Sequence, residues 1–191
     1  DGSKVYMMGG SFIRTIYAYD LGTAFDISTA VYNSESFDVS GQDSSPGALT
    51  FNADGSKVYV VGASTDTIYA YDLGTPWDVS TASYNSESFI VSSQDSSPLD
   101  LTFNADGSKV YIIGNSTDTI YAYDLATNYD VSTAEFNGEA FDVSGQDNSL
   151  LSLTFNADGS KVYIIGTGNF SAGDETIYAY DLATNYDVST A

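Results

Sequence analysis

The sequence predicts an all-β fold of repeated four-stranded antiparallel blades, on three observations. The phrase DGSKVY recurs at Asp1, Asp54, Asp106 and Asp158, a period of 53, 52 and 52 residues. Each period holds four short apolar or aromatic runs separated by Gly, Asn, Asp and Ser clusters, the composition of tight turns. No segment has sustained helical periodicity, and none approaches the roughly eighteen apolar residues of a membrane span.

The elements follow in order within one period. Leu99–Phe103 (LDLTF) is the first strand, ended by the Asn104-Ala-Asp-Gly107 turn. Val110–Ile113 (VYII) is the second, broken by Gly114 to Asp118. Thr119–Leu125 (TIYAYDL) is the third, followed by a loop holding Tyr129 and Asp130. The fourth runs from about Glu135 to Val143, is more polar, and ends at Ser144-Gly-Gln-Asp147. Length variation is confined to one place, between the second and third strands. The first copy has one extra residue there, and the fourth has five, within Thr167 to Glu175. Insertions at a single point mark an exposed loop.

Runs such as VYVV and IYAY are apolar on both faces, as a sheet sandwiched between two others requires. The polar fourth strand suits an outer edge. A unit of this size fits one blade of a β-propeller, whereas β-solenoid rungs are usually shorter. Residues 1–191 therefore read as one array, with repeats 1–53, 54–105, 106–157 and a partial 158–191. The expected content is 14 strands, about 3.5 blades. The first blade lacks its innermost strand and the last its outermost. Such a chain is expected to be a section of a longer propeller, a processed product or a subunit completed by its neighbours, in preference to a self-contained monomer.

With those residues in view, FNADGSKVYVVGASTDTIYAYDLGT (Phe51–Thr75) resembles the YVTN-type propeller repeat of microbial surface proteins. The shared features are the DG turn, the KVYV strand, the small-residue loop and the aromatic strand ending in Asp-Leu. A looser similarity extends to repetitive propellers of marine phage tail and appendage proteins. The resemblance implies a propeller fold throughout the chain. Some lactonases and quinone-dependent dehydrogenases use a related fold, but they depend on His, Arg and Glu clusters that this sequence cannot supply. Trp77-Asp78 is not a WD40 signature, because it lies in a loop and the Gly-His pair is missing.

Charge and composition exclude further classes. There are 26 acidic against 5 basic side chains, a net charge of −21, with no Cys and no His. Thiolate nucleophiles, Ser–His pairs and zinc-finger sites are thereby removed. Nucleic acid and anionic membranes are poor partners for such a surface. Asn115 and Asn169 open N-x-Ser/Thr sequons.

Asp is the dominant acid, and most copies occupy repeat-fixed turn positions, where a carboxylate accepts bonds from nearby backbone amides. Calcium is the functional alternative. Its candidate ligands are Asp66, Asp118, Asp174 and Glu175, with no EF-hand loop to support them. Asp20, Asp72, Asp124 and Asp181 end the third strands and are expected to cap them by bonding to the following loop. A glycoside hydrolase would need two acids across a cleft.

The loop aromatics Phe25, Trp77, Tyr129 and Tyr186 each precede an Asp, namely Asp26, Asp78, Asp130 and Asp187. Aromatic faces beside polar groups suit sugar stacking, which would make a lectin with one shallow site per blade. Alternatively each ring fills a gap between blades, consistent with Phe, Tyr and Trp interchanging there. The sequence thus points to a non-catalytic structural or binding module, outside a cell or on a virion, with protein neighbours in an oligomer or filament. No cofactor is expected apart from the calcium option. A glycan-binding lectin is the alternative, and a hydrolase a third.

Overall fold

The computed structural model describes residues 1–167 and 176–191. Among them are 14 strands in four antiparallel sheets of three, four, four and three strands. Blade 1 contains β1 (Lys4–Met8), β2 (Thr15–Leu21) and β3 (Ala30–Asp38). Blade 2 contains β4 (Pro46–Phe51), β5 (Lys57–Gly62), β6 (Thr67–Leu73) and β7 (Ala82–Ile90). Blade 3 repeats it with β8 (Pro98–Phe103), β9 (Lys109–Gly114), β10 (Thr119–Leu125) and β11 (Ala134–Asp142). Blade 4 holds β12 (Leu150–Phe155), β13 (Lys161–Gly166) and β14 (Thr176–Asp181). Each sheet runs in chain order, so every connection within a blade is a simple antiparallel return. Among the described residues, blades 1 and 4 have three strands each, as expected from the sequence. No helix among the described residues is long and apolar enough to cross a membrane.

The core lies between blades. Val58 and Val60 of β5 pack toward blade 1, with Ile16, Ala18 and Val39. Tyr59 and Val61, pointing the other way, pack on Leu101, Val110 and Ile112 of blade 3. The alternation of a strand therefore feeds two cores, and Val58 to Val61 are all fully buried. The paired tyrosines follow the same rule. Tyr71 is buried toward blade 1 and meets Phe37 edge-on, with ring centroids 5.2 Å apart. β4, β8 and β12 lie side by side as the innermost strands. β4 comes closest to β8 at Gly47, where a Cβ would fall 2.8 Å from the Leu99 carbonyl oxygen.

The outer strand carries a bulge at a fixed place. Register shifts between Tyr17 and Tyr19, Tyr69 and Tyr71, and Tyr121 and Tyr123, opposite Ser34, Ser86 and Gly138 in the left-handed region. The Asn just before, at positions 33, 85 and 137, donates to Asp20, Asp72 and Asp124 at 2.9–3.0 Å. Lys4 and Lys57 reach Glu35 and Glu87 of the outer strand at 2.7 and 2.6 Å, and Lys109 pairs with Glu139. The strand-ending Asp residues are thus held by side chains of adjacent strands, in place of the loop capping that their position suggests.

Candidate functional site

The repeated loop after the third strand is the position where the sequence concentrates candidate ligand-binding groups. Phe25, Trp77, Tyr129 and Tyr186 all adopt positive φ, between 62° and 67°. That conformation turns each ring back onto the DG turn of its own blade. Gly55 is itself at φ +71°, and a Cβ there would fall 2.1 Å from the Trp77 ring. Gly2, Gly107 and Gly159 stand in the same relation to Phe25, Tyr129 and Tyr186. The backbone closes the contact, because the Trp77 amide donates to the Gly55 carbonyl at 2.9 Å and the other three bonds are 2.8 Å.

The preceding blade adds a third component. Tyr6 Oη donates to the Trp77 carbonyl, Tyr59 Oη to the Tyr129 carbonyl and Tyr111 Oη to the Tyr186 carbonyl, each at 2.6 Å. A Phe at the end of the inner strand fills the space between. Phe51 lies 4.5 Å from Tyr6 and 5.2 Å from Trp77, ring centre to ring centre, and Phe103 and Phe155 repeat this. Burial pushes the Tyr59 and Tyr111 hydroxyls far above their ordinary range, so they stay protonated donors. Exposure of the loop ring is uneven, at 83% for Phe25 but 39% for Trp77.

The adjacent acids, Asp26, Asp78, Asp130 and Asp187, each cap a single 3-10 turn that the sequence reading treated as loop. In every copy Oδ1 accepts the amide and the hydroxyl of the Ser two residues on, at 3.0 and 2.6 Å. The signal was present in the sequence as Asp-x-Ser-Thr. The Asp residues after Gln are almost fully enclosed. Asp95 accepts the Ser97 amide at 2.7 Å and, from the next blade's loop, the Thr117 amide and hydroxyl at 3.1 and 2.8 Å. Asp43 does the same with Ser45 and Thr65. Gly62, Gly114 and Gly166 leave room for these carboxyls.

Of the calcium candidates, Asp66 and Asp118 sit at φ 51° and 50°, and Arg14 holds the same place in blade 1 at φ 50°. At all three the backbone carbonyl accepts an amide from the end of the outer strand: Val39, Val91 and Val143. The position thus serves a backbone turn whatever the side-chain charge. Asp174, Glu175 and the Asn169 sequon lie outside the described residues. Among the described residues no group of three or more acidic side chains is placed to hold a metal ion. Asn115 Oδ1 accepts the Leu150 amide at 3.0 Å, tying the loop between the second and third strands of blade 3 to blade 4.

One buried acid among the described residues breaks the repeat and was not singled out in the sequence. Asp100 replaces the Ala48 and Ser152 of its neighbours on the inner strands and is 8% exposed. It accepts the Leu101 amide at 2.8 Å, the Leu153 amide at 2.9 Å and the Ser152 hydroxyl, joining β8 to β12. Burial raises its pKa against these bonds. A cleft of about 450 Å³ lies between the Asp1 to Lys4 turn, Tyr6 and Pro76-Trp77. One carboxylate, Asp1, lines it.

No known protein family matches this chain, and no curated protein matches it in sequence. Among solved structures it is similar to a candidate 6-phosphogluconolactonase from Bacteroides fragilis, at TM-score 0.61 and 15% identity over 96% of this chain and 51% of that one. Hydrazine synthase from Kuenenia stuttgartiensis gives TM-score 0.59 and 16% identity over 95% and 43%. The β-propeller domain of Cps50 from Myceliophteria thermophila gives 0.51 and 10% over 86% and 47%. The chain spans about half the length of these structures. At such identities the likeness shows the fold alone, and with the stacked blades it defines this chain as a β-propeller repeat protein.

Proposed function

We propose that this chain is a non-catalytic structural or binding propeller module of an extracellular, cell-surface or virion assembly, completed by further chain or by neighbouring subunits. The observation that carries this reading is that the repeated polar and aromatic residues are spent on the scaffold. Asp26, Asp78, Asp130 and Asp187 cap turns, Asp43 and Asp95 clamp loops, and the backbone carbonyls of Trp77, Tyr129 and Tyr186 accept the tyrosine bonds between blades. A catalytic site breaks repeat symmetry, and the buried acid that does so among the described residues, Asp100, is enclosed by three donors. The YVTN-type resemblance and the high acidity, which favours solubility where salt screens self-repulsion, support the setting.

The likeness to a candidate lactonase supplies the test. No hydrolysis of 6-phosphogluconolactone above background is expected, and turnover would overturn the non-catalytic reading. No cofactor enters this reading. A melting temperature raised by Ca²⁺ and restored by EDTA would add one.

A second reading, glycan binding, is favoured by the cleft beside Trp77. Trp77→Ala should then abolish binding on a glycan array, and an unchanged array profile would remove it.

A further inference from the structure

We infer that Asn137 is a site of self-modification: in the folded protein it closes with Gly138 to a succinimide, loses ammonia and opens to aspartate or isoaspartate. Asn137-Gly138 is the one Asn-Gly pair in the chain. It lies in the outer strand of blade 3, where blades 1 and 2 have Asn33-Ser34 and Asn85-Ser86. The reaction needs no partner, so it is independent of the assembly reading above.

The bulge opens this position to attack. Between the paired residues Phe136 and Ala140, residues 137–139 stand opposite Ala122 alone. Gly138 is exposed at φ +88°, and a Cβ built on it would meet nothing within 4 Å. Its amide nitrogen, the nucleophile, is shielded by no side chain of its own, whereas Ser34 and Ser86 carry one at φ 72° and 71°. The electrophile is prepared as well. The Glu139 amide donates to Asn137 Oδ1 at 2.8 Å, where negative charge gathers as the nitrogen adds to Cγ. Nδ2, the leaving nitrogen, donates to Asp124 Oδ1 at 2.9 Å, and Lys109 Nζ lies 3.8 Å from that oxygen. The same bonds surround Asn33 and Asn85, so glycine is what separates the copies. The Asp-Gly turns differ in two ways. Gly55, Gly107 and Gly159 lie against the loop aromatics, and an ionised carboxylate offers no leaving group.

Water is the only co-reactant. The Gly138 nitrogen gives up its proton and bonds to Asn137 Cγ, the Cγ–Nδ2 bond breaks, and Nδ2 departs with that proton as ammonia. Water then adds to one imide carbonyl or the other. One route gives Asp, the other isoAsp with an extra methylene in the main chain. The consequence is electrostatic first. A carboxylate at 137 replaces the donor to Asp124, so two like charges face each other while Lys109 is already shared with Glu139. IsoAsp also lengthens the bulge and weakens the pairing of β11 with β10. Blade 3 therefore ages from its outer strand inward.

Peptide mass spectrometry of the folded wild type, aged at neutral and at mildly alkaline pH, tests this. The peptide holding Asn137 is expected to gain about 1 Da as ammonia is exchanged for water, with an isoAsp fraction separable by chromatography. Modification should run roughly tenfold faster there than at Asn33 or Asn85. It should also quicken with pH, because the nucleophile must lose its proton. Gly138→Ser should slow Asn137 to the rate of its counterparts, and Ser86→Gly should raise Asn85 to the rate of Asn137. Both substitutions fall at exposed positions, and circular dichroism checks that the sheets persist. Hydrogen exchange across residues 134–142 should quicken in the aged wild type and in Asn137→Asp, and hold steady in aged Gly138→Ser. An unmodified Asn137 in the folded protein, equal rates at the three Asn residues, or no effect of Ser86→Gly would each overturn the assignment. So would modification seen only in urea, which would place the reaction in the unfolded chain.

Discussion

Tyr59 in the second blade donates its hydroxyl to the backbone carbonyl of Tyr129 in the third, at 2.6 Å and across 70 residues of sequence. The same bond joins blades 1 and 2 and blades 3 and 4, so one geometric rule stitches the array. The acceptor is a main-chain atom, which leaves the loop side chain free to be Trp or Tyr, as it is in blades 2 to 4. The ring supplies area on the glycine turn, and the carbonyl supplies direction.

Removing the donor isolates that bond. Tyr59→Phe keeps the ring packed on Phe103 but leaves the Tyr129 carbonyl short of a partner. A loss of about 1–2 kcal/mol in urea unfolding is expected, with an unchanged m-value. Tyr129→Phe keeps the carbonyl and should cost less.

Gly55 has no freedom to become Ala. Its φ is +71°, and the new methyl would meet the Trp77 ring. Gly55→Ala is expected to destabilise by about 1–3 kcal/mol. Trp77 is the sole Trp, so displacement of its ring would shift the intrinsic fluorescence. Gly107→Ala should destabilise comparably and leave that emission unchanged.

Asp95 is enclosed, 1% exposed, and holds three donors from two loops. Asp95→Ala abandons those donors and is expected to cost about 3 kcal/mol. Hydrogen exchange should report opening first at residues 114–118.

Two groups of acids respond oppositely to pH. Hydrogen bonds from Ser56, Ser108 and Ser160 hold Asp54, Asp106 and Asp158 below the ordinary carboxylate range. Their stabilisation is present above the unfolded pKa and is lost as pH falls through the folded one. Burial raises Asp100, so its contribution is greatest below the unfolded pKa and declines as pH rises through the folded value. Comparing the wild type with Asp100→Ala cancels the shared turn acids. The melting-temperature advantage of the wild type should shrink from pH 4 to pH 7, and an advantage that grows over that range would contradict this assignment.

Much of the fold was legible because its causes are local. Strands were placed within a residue or so, Thr119–Leu125 to the residue, since period-two apolar runs and Gly/Asp turns act over a few positions. The loop aromatics were legible as a set but not in role. Whether Tyr129 offers its ring to a sugar or lays it on Gly107 depends on a backbone φ of 63° and on a turn 22 residues earlier. Asp100 escaped notice because a single Asp inside LDLTF carries no sign that its strand lies innermost.

Unaided, the sequence determined the repeat, the four-stranded unit, the 14 strands found among the described residues and an acidic composition without His. Tertiary structure alone decided which face of each strand meets which neighbour, that Tyr59 finds a carbonyl one blade away, and that Asp100 ties two inner strands together. The division is physical. Turn chemistry and side-chain alternation are set by residues a few positions apart, whereas contacts between blades join residues some 70 positions apart, and only the stacking of twisted sheets brings them together.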